Sequence, residues 1–168
     1  NELVNIFLKN FKLKRLIIFS RDELKQSEMI KVYSKNDPRG TLRFFIGDVR
    51  DLERLKFAMR NVDFVIHAAS IVPNKAGNDG DFIRINCEGS LRLFQEIIFN
   101  PSASILNISS SSVYHEPSST TLTENSRKTQ DDLYGISKLK FESMLTNHFK
   151  SLDINILTCR IPVLLVKN

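Results

Sequence analysis

Apolar runs of strand length recur along this chain, and stretches with a helical spacing of apolar residues separate them. The runs are Arg15-Leu16-Ile17-Ile18-Phe19-Ser20, Leu42-Arg43-Phe44-Phe45-Ile46, Val62-Asp63-Phe64-Val65-Ile66-His67, Ile105-Leu106-Asn107-Ile108 and Ile154-Asn155-Ile156-Leu157-Thr158-Cys159. The first is apolar without interruption, as a strand buried on both faces requires. Strands that alternate with helices must be joined by crossovers, which predicts an α/β fold: a parallel sheet with helices on both faces.

The intervening segments supply those helices. One is expected over residues 2–10, with Leu3, Ile6 and Phe7 as its apolar stripe, and one over 22–33, with Leu24, Met29 and Val32 toward the core. Asp51 is placed to cap a third, which carries Leu52, Leu55, Phe57, Ala58 and Met59. After a loop over 70–80 with Pro73, Gly77 and Gly80, a long helix over about 81–99 carries Phe82, Ile85, Leu91, Phe94, Ile97 and Ile98. A polar loop over 115–130 leads to the last helix, which runs to about Phe149. No internal repeat or low-complexity segment interrupts the pattern.

Composition narrows the class. With 168 residues, 42% hydrophobic and 26% charged, residues 1–168 read as one partial globular domain. No apolar run approaches the roughly 20 residues a membrane-spanning helix needs, and Asn1-Glu2-Leu3-Val4 does not open like a signal peptide. The net charge of +5 is spread along the chain, and its densest cluster, Lys9, Lys12, Lys14 and Arg15, lacks the aromatics of a nucleic-acid surface. A positive balance does suit anionic small molecules such as nucleotide sugars. Cys87 and Cys159 lie in apolar segments without metal-like spacing and read as two buried reduced thiols, which suits the cytoplasm. The three histidines show no metal-ligand spacing; His115 and His148 are expected to face solvent.

The chemistry concentrates in one pair and its company. Tyr134 and Lys138 stand four residues apart, one helical turn, so phenol and ammonium share a face. A free phenol, with a pKa of about 10, is a poor base near neutrality, and a neighbouring cation favours its ionised form. Ser110, at the end of a strand, could bind the same substrate oxygen. Such a trio can move a proton while hydride leaves or returns to a carbinol carbon.

Several motifs arrive together: Gly47-Asp48-Val49-Arg50-Asp51 after one strand, His67-Ala68-Ala69 after another, and Asn86, Gly89 and Ser90 on the next helix. Ile108-Ser109-Ser110-Ser111-Ser112-Val113-Tyr114, Leu122-Thr123-Glu124, Tyr134-Gly135-Ile136-Ser137-Lys138 and Arg160-Ile161-Pro162 follow. In this order they resemble the extended short-chain dehydrogenase/reductase superfamily, the NAD(P)-dependent nucleotide-sugar epimerases and dehydratases. The run from Phe19 to Leu55 is similar to polysaccharide-biosynthesis dehydratases acting on UDP-N-acetylhexosamines. The resemblance implies a Rossmann-like doubly wound sheet with Ser110, Tyr134 and Lys138 as the catalytic trio. It implies cofactor contacts at Ser20, Arg21, Asp48, Val49, His67, Ala68, Ala69 and Asn86, as well as Tyr134 and Lys138. Asp48 and Val49 would lie against adenine, and Ala68 and Ala69 would let backbone approach the cofactor. Ser20-Arg21, where NAD-preferring relatives put a carboxylate, points to NADP, with NAD as the alternative; otherwise Arg21 is a surface residue paired with Asp22 or Glu23.

The chain also departs from that pattern. Its first glycine is Gly40, so the glycine-rich turn that holds the cofactor pyrophosphate is missing, and with it the first central strand, expected between strands 15–20 and 62–67 in the order 3-2-1-4-5-6. The superfamily continues beyond Arg160-Ile161-Pro162 into a substrate-binding part, so the chain reads as an incomplete copy with doubtful activity on its own. Ser111 and Ser112 occupy positions where dehydratases of the family carry acidic groups, and a serine hydroxyl is too weak an acid to replace them. The expected activity is therefore a nucleotide-sugar 4-epimerase-like oxidation and reduction on UDP-sugars. A UDP-N-acetylhexosamine 4,6-dehydratase or reductase is the alternative within enzymes, and a non-catalytic nucleotide-binding domain or inactive gene fragment the alternative outside them. The implied partner is a nucleotide sugar, with no nucleic acid and no membrane; homo-oligomerisation is left open.

Overall fold

An uninterrupted apolar run and its crossover helix form the first layer of the protein. The computed structural model describes residues 2–33, 35, 37, 40–73, 78–96, 103–115, 121–152 and 154–162. The chain forms two compact units, Asn1–Arg60 and Asn61–Asn168.

In the first unit, α1 (Glu2–Asn10) precedes β1 (Leu16–Ser20), α2 (Glu23–Tyr33), β2 (Leu42–Ile46) and α3 (Leu52–Met59). β1 and β2 pair in parallel from Leu16 against Leu42 to Ser20 against Ile46. Val4, Tyr33 and Leu42 form the buried centre, with Leu8, Leu16, Ile18, Met29 and Phe44 packed against it. Three expectations change. The packed stripe of α1 is Val4 and Leu8, four residues apart, whereas Leu3 and Ile6 are about half exposed. α2 turns Leu24 and Val32 outward and buries Gln26 and Tyr33. β1 is half-buried along its length, because within this unit it ladders with β2 alone.

Gln26 is buried for a reason that apolar spacing cannot show. Its amide nitrogen, Nε2, donates to the Phe45 carbonyl at 2.9 Å and lies 3.1 Å from Ser20 Oγ and 3.3 Å from the Ser20 carbonyl. One side chain thus ties together the carboxyl ends of both strands. As expected, Asp51 caps α3, accepting from the Arg54 N–H at 3.1 Å.

In the second unit, β3 (Phe64–His67) leads to a π-helical segment (Phe82–Gly89) that continues as α4 (Ser90–Glu96). β4 (Ser104–Ser110), a 3-10 turn (Ser111–Val113), α5 (Leu133–Phe149) and β5 (Asn155–Ile161) follow. The strand order is β3-β4-β5, all parallel. β3 starts at Phe64, two residues later than its apolar pattern suggested, and β4 runs on through the serines to Ser110. The expected long helix opens with a π-wound stretch, in which Phe82, Asn86 and Cys87 share the buried face. Ile97 and Ile98 in that helix, Gly77 in the preceding loop and residues 116–120 of the polar loop lie outside the described residues.

The core of this unit lies between the sheet and its helices, among Phe94, Ile105, Phe141, Leu145 and Phe149. Phe94 meets Phe141 at 6.2 Å between ring centres and Phe149 edge-on at 6.2 Å. Cys87 is fully buried, but Cys159 is exposed, because it falls on the outward-facing set of β5 with Leu157 and Ile161. Both cysteines are free. Among the described residues, no helix is long and apolar enough to cross a membrane.

The Gln26 tie yields a stability prediction. Gln26→Leu keeps the volume but strips two strand-end carbonyls of their donor, so it should cost about 1–3 kcal/mol. Urea unfolding would show it as a lower midpoint, and an unchanged midpoint would mean the tie is not formed.

Candidate active site

Ser110 ends β4, with extended backbone (φ −139°, ψ 150°), and the chain then tightens into the 3-10 turn. The Ser110 Oγ accepts from the Ser112 N–H at 3.1 Å. A hydroxyl has one proton and two lone pairs, so this bond leaves the proton of Ser110 available to donate.

α5 is seated on this turn. Asp132 caps it, accepting from the Tyr134 N–H at 3.0 Å. At Gly135 a Cβ would come within 2.0 Å of the Ser112 carbonyl oxygen, so only glycine permits so close an approach of helix to turn. One turn further, the Lys138 Nζ donates to the Ile108 carbonyl at 2.7 Å, two residues before Ser110. Tyr134 is half-buried, with its ring edge-on to Phe82 at 5.9 Å. The helix thus brings Lys138 and the Tyr134 backbone to the serine turn at the carboxyl end of β4.

Lys138 is buried, and desolvation lowers its pKa, opposed by the charge of Glu142. Glu142, Tyr114 and Ser109 are residues the sequence reading did not single out. Glu142 accepts from Ser109 Oγ at 2.5 Å and from Arg160 Nη2 at 2.7 Å, with Arg160 Nε at 3.2 and 3.3 Å from its two oxygens. Arg160 Nη1 also donates to Tyr114 Oη at 2.8 Å, and the Lys128 ammonium lies 4.2 Å from the centre of the Tyr114 ring. A signal was present: Tyr134, Lys138 and Glu142 recur every four residues, which puts all three on one stripe of α5.

The residues expected after β3 divide into two kinds. Ala68 and Ala69 are exposed at the strand end. His67 is buried, its Nε2 3.2 Å from Ser90 Oγ and its ring 5.2 Å from both Phe94 and Phe141. Burial, reinforced by the charge of Lys138, pushes its pKa down to about 4. Asn86 accepts from the Ile71 N–H at 2.7 Å and donates to the Ile71 carbonyl at 3.1 Å and to Ser137 Oγ at 3.3 Å. Its amide therefore fastens the loop after β3 and links the π-helical segment to α5. His115 and His148 are exposed.

In the first unit, Ser20, Arg21, Asp48 and Val49 lie at the carboxyl ends of β1 and β2. Asp48 receives Arg50 through Nε at 2.9 Å and Nη2 at 2.6 Å, and Arg21 Nη1 at 3.4 Å. Hydrogen bonds from Arg50 hold the Asp48 carboxyl far below the usual carboxylate range. Arg21 thus pairs with Asp48. Two guanidiniums, 71% and 79% exposed, share one carboxylate, and the excess positive charge at this strand end fits an anionic ligand. Ser20 Oγ accepts from Gln26 and, at 3.3 Å, from the Asp22 N–H. Val49 is half-buried.

Glu142→Ala would strand Arg160, a quarter exposed, without its carboxylate, and should cost about 3 kcal/mol in urea unfolding; a loss below about 1 kcal/mol would show the pair to be a surface-type contact. For His67, the unfolded imidazole takes up its proton near pH 6.5 and the folded one only near 4. The stabilisation is full above about pH 6.5 and is lost as pH falls toward 4, amounting to about 3 kcal/mol. The difference in unfolding midpoint between the protein and His67→Phe should therefore change across this range. A constant difference would place His67 in contact with water.

The model of the NAD dependent epimerase/dehydratase family matches residues 13–165. The UDP-N-acetylglucosamine 4,6-dehydratase (inverting) of Campylobacter jejuni (strain 81-176) is 49% identical over 87 residues, which are 51% of this chain and 25% of that protein. The UDP-glucose 4-epimerase of Rickettsia bellii (strain OSU 85-389) is 34% identical over 114 residues, 65% of this chain and 32% of that protein. The crystal structure of UDP-glucuronic acid 4-epimerase from Bacillus cereus in complex with NAD superposes with a TM-score of 0.72 at 22% identity, over 96% of this chain and 52% of that one. The chain thus spans about a quarter to a third of the length of these curated relatives, and its parallel α/β architecture is Rossmann-type.

Proposed function

Since the chain belongs to the NAD dependent epimerase/dehydratase family, we propose that it contributes the proton-transfer site of a nucleotide-sugar 4-epimerase-like oxidoreductase acting on UDP-sugars. The observation behind this reading is the seating of α5 on the serine turn, with Lys138 bonded two residues from Ser110 and Tyr134 one helical turn from Lys138. A nicotinamide cofactor, when bound, supplies acceptance and return of the hydride at the sugar carbinol carbon. Tyr134 takes the proton of the sugar hydroxyl and gives it back. Ser110, its lone pair already engaged by Ser112 N–H, donates its own proton to the same sugar oxygen. Lys138 supplies a fixed positive charge to this group of residues.

Each unit, taken by itself, carries candidate cofactor contacts: Ser20, Arg21, Asp48 and Val49 in the first, and the backbone at His67, Ala68 and Ala69, with Lys138, in the second. The paired guanidiniums of Arg21 and Arg50 favour NADP, whose extra phosphate they can share, over NAD. The two free thiols suit work in a reducing compartment such as the cytoplasm.

A 4,6-dehydratase is the second reading, favoured by the 49% identity to a protein of that name. Ser111 and Ser112 weigh against it, since neither can protonate a leaving hydroxide efficiently. Calorimetry with NADP and NAD, and incubation with UDP-glucose and UDP-N-acetylglucosamine, test both. Assayed in a longer protein that joins these residues to a glycine-rich turn and a substrate-binding part, the expected outcome is tighter binding of NADP and inversion at C4 without change of mass, reduced about 100-fold or more by Tyr134→Phe. Loss of water from the sugar would establish the dehydratase. Absence of both binding and turnover from that longer protein would overturn the enzymatic reading.

A further inference from the structure

A polar layer crosses the helix-covered face of the three-stranded sheet, under the seat of α5. His67, Asn107 and Thr158 stand side by side on β3, β4 and β5, and Ser109 and Arg160 stand side by side in the row beyond. Most of these groups are provided for. His67 meets Ser90, and Ser109 and Arg160 meet Glu142. Asn107 is the exception. It is 0% exposed, and neither its Oδ1 nor its Nδ2 has a hydrogen-bond partner among the described residues. Of the other buried amides, Asn86 pairs both of its ends and Gln26 places its nitrogen against three acceptors, with Oε1 alone lacking a partner among the described residues.

An amide offers two donors and two lone pairs, and burying it with both ends unpaired costs more than any single hydrogen bond returns. Leucine would fill much the same space at no such cost, beside buried Ile105 on the same strand face. We propose that Asn107 is an internal water-binding residue, its amide holding one or two buried water molecules in the polar layer beneath Lys138. The chemistry selects water over an ion. A cation would satisfy only Oδ1 and would sit beside the ammonium of Lys138, which is bonded to the very next residue's carbonyl. An anion would satisfy only Nδ2. Water both donates and accepts, and the neighbouring Thr158 hydroxyl and the remaining N–H groups of Lys138 give it the two to four partners that buried water requires. One consequence rests on the function proposed above: this water solvates the buried charge of Lys138 from below and so helps keep it an ammonium.

Two measurements on the full chain test the site without cofactor, substrate or turnover, so their failure is distinct from failure of the enzymatic reading. In a nitrogen-15-labelled sample, the Asn107 side-chain amide should show a cross-peak to water with the sign of a long-lived bound molecule. An assigned Asn107 amide with no such cross-peak overturns the proposal, whether or not any variant folds. Asn107→Leu should lower the thermal midpoint, by about 4 °C or more, because the water leaves and its other partners lose a bond. A higher midpoint would mean the amide had no partner to lose, and would equally overturn it.

Discussion

The approach of α5 to the end of β4 is the contact on which the geometry of the second unit's candidate site depends. A helix axis usually stays a side chain's width from the strand it covers. Here the missing side chain of Gly135 lets helical backbone meet the backbone of Ser112, and this closeness allows Lys138 to reach the Ile108 carbonyl. Any side chain at Gly135 would lift the helix, lengthen the reach of Lys138 and separate Tyr134 from the serine turn. A single absent Cβ therefore sets the geometry of the three candidate groups, Ser110, Tyr134 and Lys138.

That closeness has a cost in buried charge, and the surrounding residues meet it. Lys138 is buried with its ammonium near the low-dielectric core, an arrangement that desolvation opposes. Glu142, one turn along the same stripe, supplies the compensating negative charge, and Arg160 in turn holds Glu142 in place from β5. Ser109 joins the same carboxylate, so the strand residue next to Ser110 is locked by the helix that bears Tyr134. Helix, central strand and edge strand are thus fastened to one another by polar bonds beneath the site, while Phe94, Phe141 and Phe149 supply the apolar packing around it. His67 shows the same environment from the opposite side: surrounded by rings and held by Ser90, it stays neutral where a solvated imidazole would share a proton.

Each unit concentrates its candidate binding residues at the carboxyl ends of its parallel strands, where that sheet type presents loops and unpaired backbone to ligands. In the first unit, Gln26 ties those ends together and Asp48 gathers two arginines there. In the second, Asn86 fastens the loop that follows β3. These are amide and ion-pair devices, and they position backbone as much as they offer side chains.

The order of elements was legible from the chain alone, because strand-length apolar runs and helical spacing are local properties: α5, the Asp51 cap and the parallel pairing all follow from them. The spacing of Tyr134 and Lys138 likewise determined that both lie on one helical face. What local pattern could not decide was which face of a helix or strand met a partner. Leu24 and Val32 turned outward because the buried side of α2 is held by a hydrogen-bonding amide, Gln26, which no hydrophobic period marks. Cys159 turned outward because alternation along a strand says which residues share a side, but not which side the helices cover. The roles of Glu142 and Arg160 were hidden for the same reason. They depend on contacts between residues 18 to 50 positions apart in related cases such as Glu142 with Arg160 and Cys87 with Ser137, and only the packed tertiary structure brings such groups within bonding distance.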